Sequence, residues 1–278
     1  MTTRCELINT YEVLEHVMGI KGLHPHRLDT IKEMRAKLVR YVCNHPAFKE
    51  SVVLDIGCGN GIGTYELALM FDNSQRVIGI DINSRAIENA RKAYPDQHNL
   101  SFYHGELKGF LRNNPNLRIS AVICISVSMF ITDVKEFYQL IYRSLLDCGM
   151  FIDAPFMFRN MQRPASEEFH RQTYAVCGCN MKMYESDQLR GLFHDAGFSN
   201  VACANHDFDL MKLPVLFADY RPHYLIGNFF KNVISPPAHF GGISSRYLFS
   251  RTLKIFIFFL KNRHRYASGE FVSVKIAN

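Results

Sequence analysis

One run constrains this chain more than any other: Val52-Val53-Leu54-Asp55-Ile56, followed by glycine at 57, 59, 61 and 63. A strand that passes at once into alternating glycines has a physical purpose. Glycine accepts positive φ and lets the backbone approach a ligand with no Cβ in the way. A helix expected over 61–71 presents its free N–H groups to that ligand. Glycine triplets spaced G-x-G-x-x-G serve pyrophosphates. Here the spacing is D-x-G-x-G-x-G, and Asp55 suits a cationic ligand while repelling a pyrophosphate. A second acid, Asp81, ends the apolar run Val77-Ile78-Gly79-Ile80. It lies about twenty residues past the loop, where a carboxylate can accept both hydroxyls of a ribose. Taken alone, Asp81 fits a NAD enzyme equally well, or the N-cap of the next helix, although Asn83 or Ser84 can fill that place.

From residue 51 onward short apolar runs alternate with helical patterns. The runs are 51–56, 76–80, 100–103, 119–126 and 150–153, and the helical patterns include 61–71, 84–93, 133–146 and 186–196. Such alternation predicts a parallel sheet covered on both faces. Residues 201–210 and 271–276 predict a closing antiparallel pair. Residues 1–50 predict a helical N-terminal segment, with Leu28, Ile31, Met34, Leu38 and Val39 at helical spacing. Between the last two strands, 213–268 predicts a helical insertion, with Phe229-Phe230 on one helix and Phe249, Leu253, Phe256 and Leu260 on another.

Charge separates that insertion from the rest. The formal net charge is +6 over 278 residues, yet from Tyr220 to Gly269 there is no acid and there are eight Lys or Arg. The remainder carries 24 basic against 26 acidic residues, a net of −2. The basicity therefore belongs to one segment. The longest apolar run, 255–260, is far shorter than the roughly 20 residues of a membrane-spanning helix. No leader pattern opens the sequence, and the eight cysteines are scattered, so a reducing cytoplasm is expected. Cys177-Gly178-Cys179 lacks a second pair or a histidine at zinc-ligand spacing, so no metal is expected.

The segment 53–61 closely resembles the first motif of class I S-adenosylmethionine-dependent methyltransferases. Val77–Asp81 resembles their second strand, and Phe102-Tyr103-His104-Gly105-Glu106-Leu107 their motif after the third. Residues 121–126 are similar to their fourth strand, with Ser120 in place of the usual Asp. Residues 145–151 resemble the turn into strand five, departing at Asp147-Cys148-Gly149. Tyr184-Glu185-Ser186 with Leu189, Leu192 and Ala196-Gly197-Phe198 matches the last helix of the small-molecule subgroup. The resemblance covers 51–210 and implies a Rossmann-like, seven-stranded, mostly parallel α/β sheet, the core being 51–212 with 269–278. It implies S-adenosyl-L-methionine as cofactor. Asp55, Gly57, Cys58 and Gly59 are implied to line its methionine part, with Asp81 on the ribose and Ile82 on the adenine. Glu106 and Leu107 frame the adenine edge, and the Ser126 carbonyl faces the cofactor's amino end.

Methyl transfer from a sulfonium is an in-line displacement, achieved largely by holding nucleophile and methyl in a near-attack arrangement. A base is needed only when the acceptor arrives protonated. Glu167, Glu168, His170 and Tyr174 follow strand five, and His170 with Tyr174 is the candidate pair, against the plainer reading of a solvated helix face. Met129 and Phe130 stand where some relatives carry histidines, which suggests an apolar wall. No Asn-Pro-Pro-Tyr motif follows strand four. Phe130, Phe156, Tyr184, Phe229 and Phe230 are candidates for an apolar acceptor site, against ordinary core packing. O- or C-methylation of a hydrophobic small molecule is expected. The segment 220–265 is expected to lie over the acceptor, on an anionic membrane or against a second copy, and not on nucleic acid. Two alternatives stand: a nucleic-acid or protein methyltransferase gripping phosphates with the insertion, and a cofactor-binding protein without transferase activity.

Overall fold

The computed structural model describes residues 28–71, 74–158, 184–207 and 266–276. The chain divides into two compact units. One holds His26–Met157, Tyr184–His206 and Ser268–Asn278, the other Met1–Pro25, Phe158–Met183 and Asp207–Ala267. Nearly all described residues lie in the first unit, which carries the glycine loop.

β1 (Val52–Ile56) is buried along its whole length, as a strand covered on both faces must be. β2 (Arg76–Asp81) and β4 (Ile119–Ile125) pair with it in parallel, one on each side. β3 (Leu100–His104) continues the sheet beyond β2, and β5 (Leu145–Ala154) beyond β4, both in parallel. β8 (Tyr266–Val274) lies antiparallel to β5. It pairs in turn with β7 (Val201–Asp207) and with the three-residue β6 (Phe156–Phe158). The expected seven strands are present, in the order 3-2-1-4-5-8-7, and β6 is an addition.

Helices cover both faces. α1 (Leu28–Asn44) and α2 (Ile62–Met70) pack on one face, where Ile31, Met34, Leu38 and Leu67 join Val53 and Ile123 in one core. α4 (Leu107–Asn113), α5 (Val134–Ser144) and α6 (Ser186–Ala196) pack on the other. α3 (Ser84–Ala93) buries Ile87 and Ala90 against Phe102. Around α5 and α6 the rings of Tyr138, Phe151, Phe193 and Phe271 form a cluster, with Phe193 centred 4.5 Å from Tyr138 and 5.1 Å from Phe151.

Two strands are longer than their apolar runs by several residues. β5 begins at Leu145 because Asp147-Cys148-Gly149 is taken into the strand as a bulge. The register jumps from Ile119↔Leu145 to Ala121↔Met150, and Cys148 adopts φ 62°. The bulge is pinned from β8's end: Cys148 N–H donates to the Lys275 carbonyl and Lys275 N–H to the Gly149 carbonyl, each at 2.9 Å. β8 begins at Tyr266, five residues before the apolar alternation, because pairing with neighbouring strands overrides weak local propensity.

Candidate cofactor site

The glycine loop leaves β1 and is stapled to β2. Gly57 and Cys58 both donate to the Ile80 carbonyl, at 2.7 and 3.2 Å, and Gly61 N–H closes a turn on the Cys58 carbonyl at 3.0 Å. Gly57, Gly59 and Gly61 have φ of 73°, 54° and 80°, the left-handed region that favours glycine. Their missing side chains serve different purposes. A Cβ on Gly57 would meet Val127 at 2.1 Å, one on Gly61 would meet Phe102 at 2.6 Å, and one on Gly63 would meet the Arg35 guanidinium at 2.0 Å. A Cβ on Gly59 would meet nothing within 4 Å. Three of the glycines thus admit the protein's own side chains, and Gly59 alone faces free space.

Two carboxyls stand near the ends of the strands on either side of the loop. Asp55 is the penultimate residue of β1, 7% exposed, and accepts from the Thr64 hydroxyl at 2.7 Å. Burial raises its pKa. The Arg35 guanidinium and the Thr64 hydroxyl pull it back down, and Asp81 adds a small upward push. Arg35 comes from α1, is nearly buried, and pairs with Glu66 of α2 at 2.6 Å. Asp81 ends β2, where one oxygen accepts from Gly59 N–H and the other from Asn83 N–H, both at 2.8 Å. Burial raises its pKa, against the lowering effect of these bonds and of His104. Asn83, not Asp81, caps α3, accepting from the N–H groups of Arg85 and Ala86. The Asp81 carboxylate therefore has no capping role and stands at the strand end tied to Gly59 and Asn83. The Cys58 thiol is held well above its ordinary range by burial and then by Asp55 and Asp81, so it is a neutral loop residue and no nucleophile.

Beyond β3, Gly105 N–H donates to the Asp81 carbonyl at 2.8 Å with φ 147°. This ties the 104–107 turn to the end of β2. Glu106 sits exposed at the N-cap position of α4, and Leu107 is buried beneath it. Ile82 is half-buried beside Asp81. Ser126 follows β4 in the left-handed region, at φ 58°, and its N–H donates to the Ala154 carbonyl at 2.8 Å. The nine expected cofactor residues, Asp55, Gly57, Cys58, Gly59, Asp81, Ile82, Glu106, Leu107 and Ser126, therefore gather at the carboxyl ends of β1 to β4, where open α/β sheets bind ligands.

Among the acceptor candidates, Phe130 is half-buried in a short 3-10 turn, Ser128–Phe130. Tyr184 is half-buried against the core under α5 and α6. Phe156 lies in β6 with its side chain outside the described residues. His170, Tyr174, Phe229, Phe230 and the expected cap over 213–268 also lie outside them. Sequence reasoning missed Arg35 and Thr64. Gly63 was the only hint of Arg35, since its lack of a side chain makes room for the guanidinium.

A parallel sheet with a glycine loop after β1, and acids closing β1 and β2, defines a class I methyltransferase, whose cofactor is S-adenosylmethionine. The residues fit that group: free space at Gly59 next to the Asp81 carboxyl, with Asp55 near the end of the adjoining strand, suits a cationic, ribose-bearing ligand. The family profile of the methyltransferase domain matches residues 47–206, more than half of the chain, and the chain belongs to that family. It is similar to a demethylmenaquinone methyltransferase of Staphylococcus saprophyticus, 22% identical over 219 residues that cover 69% of this chain and 84% of the relative. Its fold is similar to a Geobacter sulfurreducens S-adenosylmethionine-dependent methyltransferase solved with S-adenosylhomocysteine. That match has a TM-score of 0.65 at 14% identity, covering 94% of this chain and 97% of the other. A phosphoethanolamine N-methyltransferase 2 of Haemonchus contortus, solved with S-adenosylmethionine, matches with a TM-score of 0.60 at 15% identity over 97% of this chain. This chain spans 57% of that protein's length.

Proposed function

We propose that this methyltransferase acts on an apolar small molecule, at oxygen or carbon. One observation carries the cofactor half of this reading: the free space at Gly59, whose N–H is held by Asp81. Asp55, Gly57, Cys58 and Gly59 would hold the methionine part of the cofactor, Asp81 and Ile82 the nucleoside, Glu106 and Leu107 the adenine edge. The Ser126 carbonyl would face the amino group. When bound, the cofactor supplies an electrophilic methyl on a sulfonium. The chain's own residues orient the two reactants and keep water away.

For the acceptor, support comes from the turn after β4. Met129 is buried and Phe130 half-buried there, with no ionisable side chain between Ser126 and Ile131. The Staphylococcus relative's name, demethylmenaquinone methyltransferase, points the same way, toward a quinone-like acceptor. The N-methyltransferase likeness is at an identity that speaks for the fold alone. The aromatic, basic segment 213–268, with Phe229 and Phe230, is assigned to the acceptor side on its composition, and His170 with Tyr174 to proton removal from a hydroxyl acceptor. S-adenosylhomocysteine formation with a panel of substrates tests the reading. Turnover with reduced quinones or phenols, and none with phosphoethanolamine or RNA, is expected. Preference for an amine or for RNA would overturn it.

A further inference from the structure

Among the described residues, four buried side-chain polar atoms have no hydrogen-bond partner: His45 Nδ1, Ser126 Oγ, Ser128 Oγ and Asp153 Oδ1. Three of the four sit where β4 and β5 end. Native structures leave few such atoms, and a group of them asks for an explanation. Asp153 is fully buried, one residue before the end of β5, in register with Cys124 of β4 and Phe271 of β8. Its Oδ2 accepts a short bond from the Tyr138 hydroxyl of α5, which is itself buried. Ser128 and Cys124 turn donors toward the same carboxyl and lower its pKa, although Oδ1 completes no bond of good geometry.

No part of the cofactor site uses this carboxyl, and burying it is unfavourable. Volume does not explain it, since an amide or a leucine fills the same space. What sets Asp153 apart is its neighbours. Ser128 stands in the turn that follows Ser126, and Ser126 is bonded by its N–H to Ala154, the residue after Asp153. The β5 end therefore grips the β4 turn at two points: the backbone bond from Ser126, and the Asp153 carboxyl facing Ser128. The left-handed backbone of Ser126 is a strained conformation that its surroundings must hold.

We propose that Asp153, held by Tyr138, is a positioning residue that fixes the Ser126–Phe130 turn for cofactor binding. This rests on the reading that the Ser126 carbonyl faces the cofactor's amino group. Three donors surround the carboxyl, the Tyr138 hydroxyl, the Ser128 hydroxyl and the Cys124 thiol, so its ionised form is the one that orders them. The titratable groups facing it are Tyr138 from α5 and Cys124 from β4, with Asp55 beyond Cys124. Phe193 of α6 packs on the Tyr138 ring, and Phe271 is the β8 residue opposite. Burial raises the Asp153 pKa to about 6. The turn is then held firmly above that pH and released below it.

The test is calorimetry of S-adenosylhomocysteine binding between pH 5 and 8, on the full chain and on Asp153→Asn, Tyr138→Phe, Ser128→Ala and Gly59→Ala. The wild type is expected to bind more weakly as pH falls through about 6. Asp153→Asn should lose that midpoint and bind roughly tenfold more weakly at pH 7.5, the size of one lost hydrogen bond. Tyr138→Phe and Ser128→Ala each remove a donor that favours the carboxylate, so each should move the midpoint upward. A midpoint unmoved in all three variants assigns the titration to another group and overturns the proposal. Gly59→Ala separates the two readings. If it abolishes binding while the other three variants behave as wild type, the positioning role fails alone. If it binds normally, the cofactor reading fails first.

Discussion

At the scale of single residues, the loop separates into glycines that admit protein and one that admits ligand. Gly59→Ala adds a methyl group into free space at φ 54°. The left-handed backbone costs about 1–2 kcal/mol, so the fold is expected to survive while S-adenosylhomocysteine binding falls below detection by calorimetry. Gly61→Ala drives its new methyl into Phe102 and is expected to lower the melting temperature first. Equal loss of binding and stability in both variants would refute the distinction. Asp153 gives a prediction of opposite sign to its binding role. Its pKa is raised to about 6 in the folded state, against about 3.9 for a free aspartate. Between these values the folded chain holds more proton than the unfolded one, so stability falls as pH rises. The contribution is fully present below about pH 4 and lost above about pH 6, roughly 3 kcal/mol for a shift of about two units. Asparagine cannot ionise. Urea unfolding should therefore find Asp153→Asn more stable than wild type at pH 7.5, with the difference closing toward pH 4. A variant less stable at both ends would show that the carboxylate is favoured by its surroundings after all.

At the scale of elements, the sheet's second face depends on one aromatic ring. Phe193 of α6 stacks on Phe151 and Phe271 and meets Tyr138, so Phe193→Ala should cost about 3–5 kcal/mol, measurable as a lower urea midpoint at unchanged slope. The elements themselves were largely legible. Apolar runs alternating with helical spacing located β1 to β4 and α2, α3, α5 and α6, and the acids near the ends of β1 and β2 marked the site, because both signals are local; the short α4 was not among the helical patterns. What escaped was what the neighbours decide. Asp147-Cys148-Gly149 has the look of a turn, and only pairing with β8's end draws it into β5. Arg35 sits on a helix whose buried residues otherwise serve packing, and nothing in its spacing announces its electrostatic pull on Asp55. Asp153 follows an apolar run much as Asp55 and Asp81 do, yet it turns toward α5 and meets Tyr138, a contact that no one-dimensional pattern encodes.

At the scale of the whole molecule, binding and folding are linked. A ligand that binds only the folded state at about a hundred times its dissociation constant adds about 2.7 kcal/mol. For a chain of this size that raises the melting temperature by roughly 5–10 °C. A scan with S-adenosylhomocysteine should show that rise in the wild type and none in Gly59→Ala, and a rise with NAD instead would assign the loop to another cofactor. The sheet order also bears on inheritance. The region shared with the family ends at residue 206, yet the strand between β5 and β7 is β8, which begins at Tyr266. The matched stretch is thus not a portable part. Cut out on its own, it would expose the β5 edge as an unpaired template for other chains and would leave Asp55 buried without its Arg35 counter-charge. The chain between β7 and β8 has to return to one fixed slot beside β5. Where it starts and stops is therefore set by the sheet.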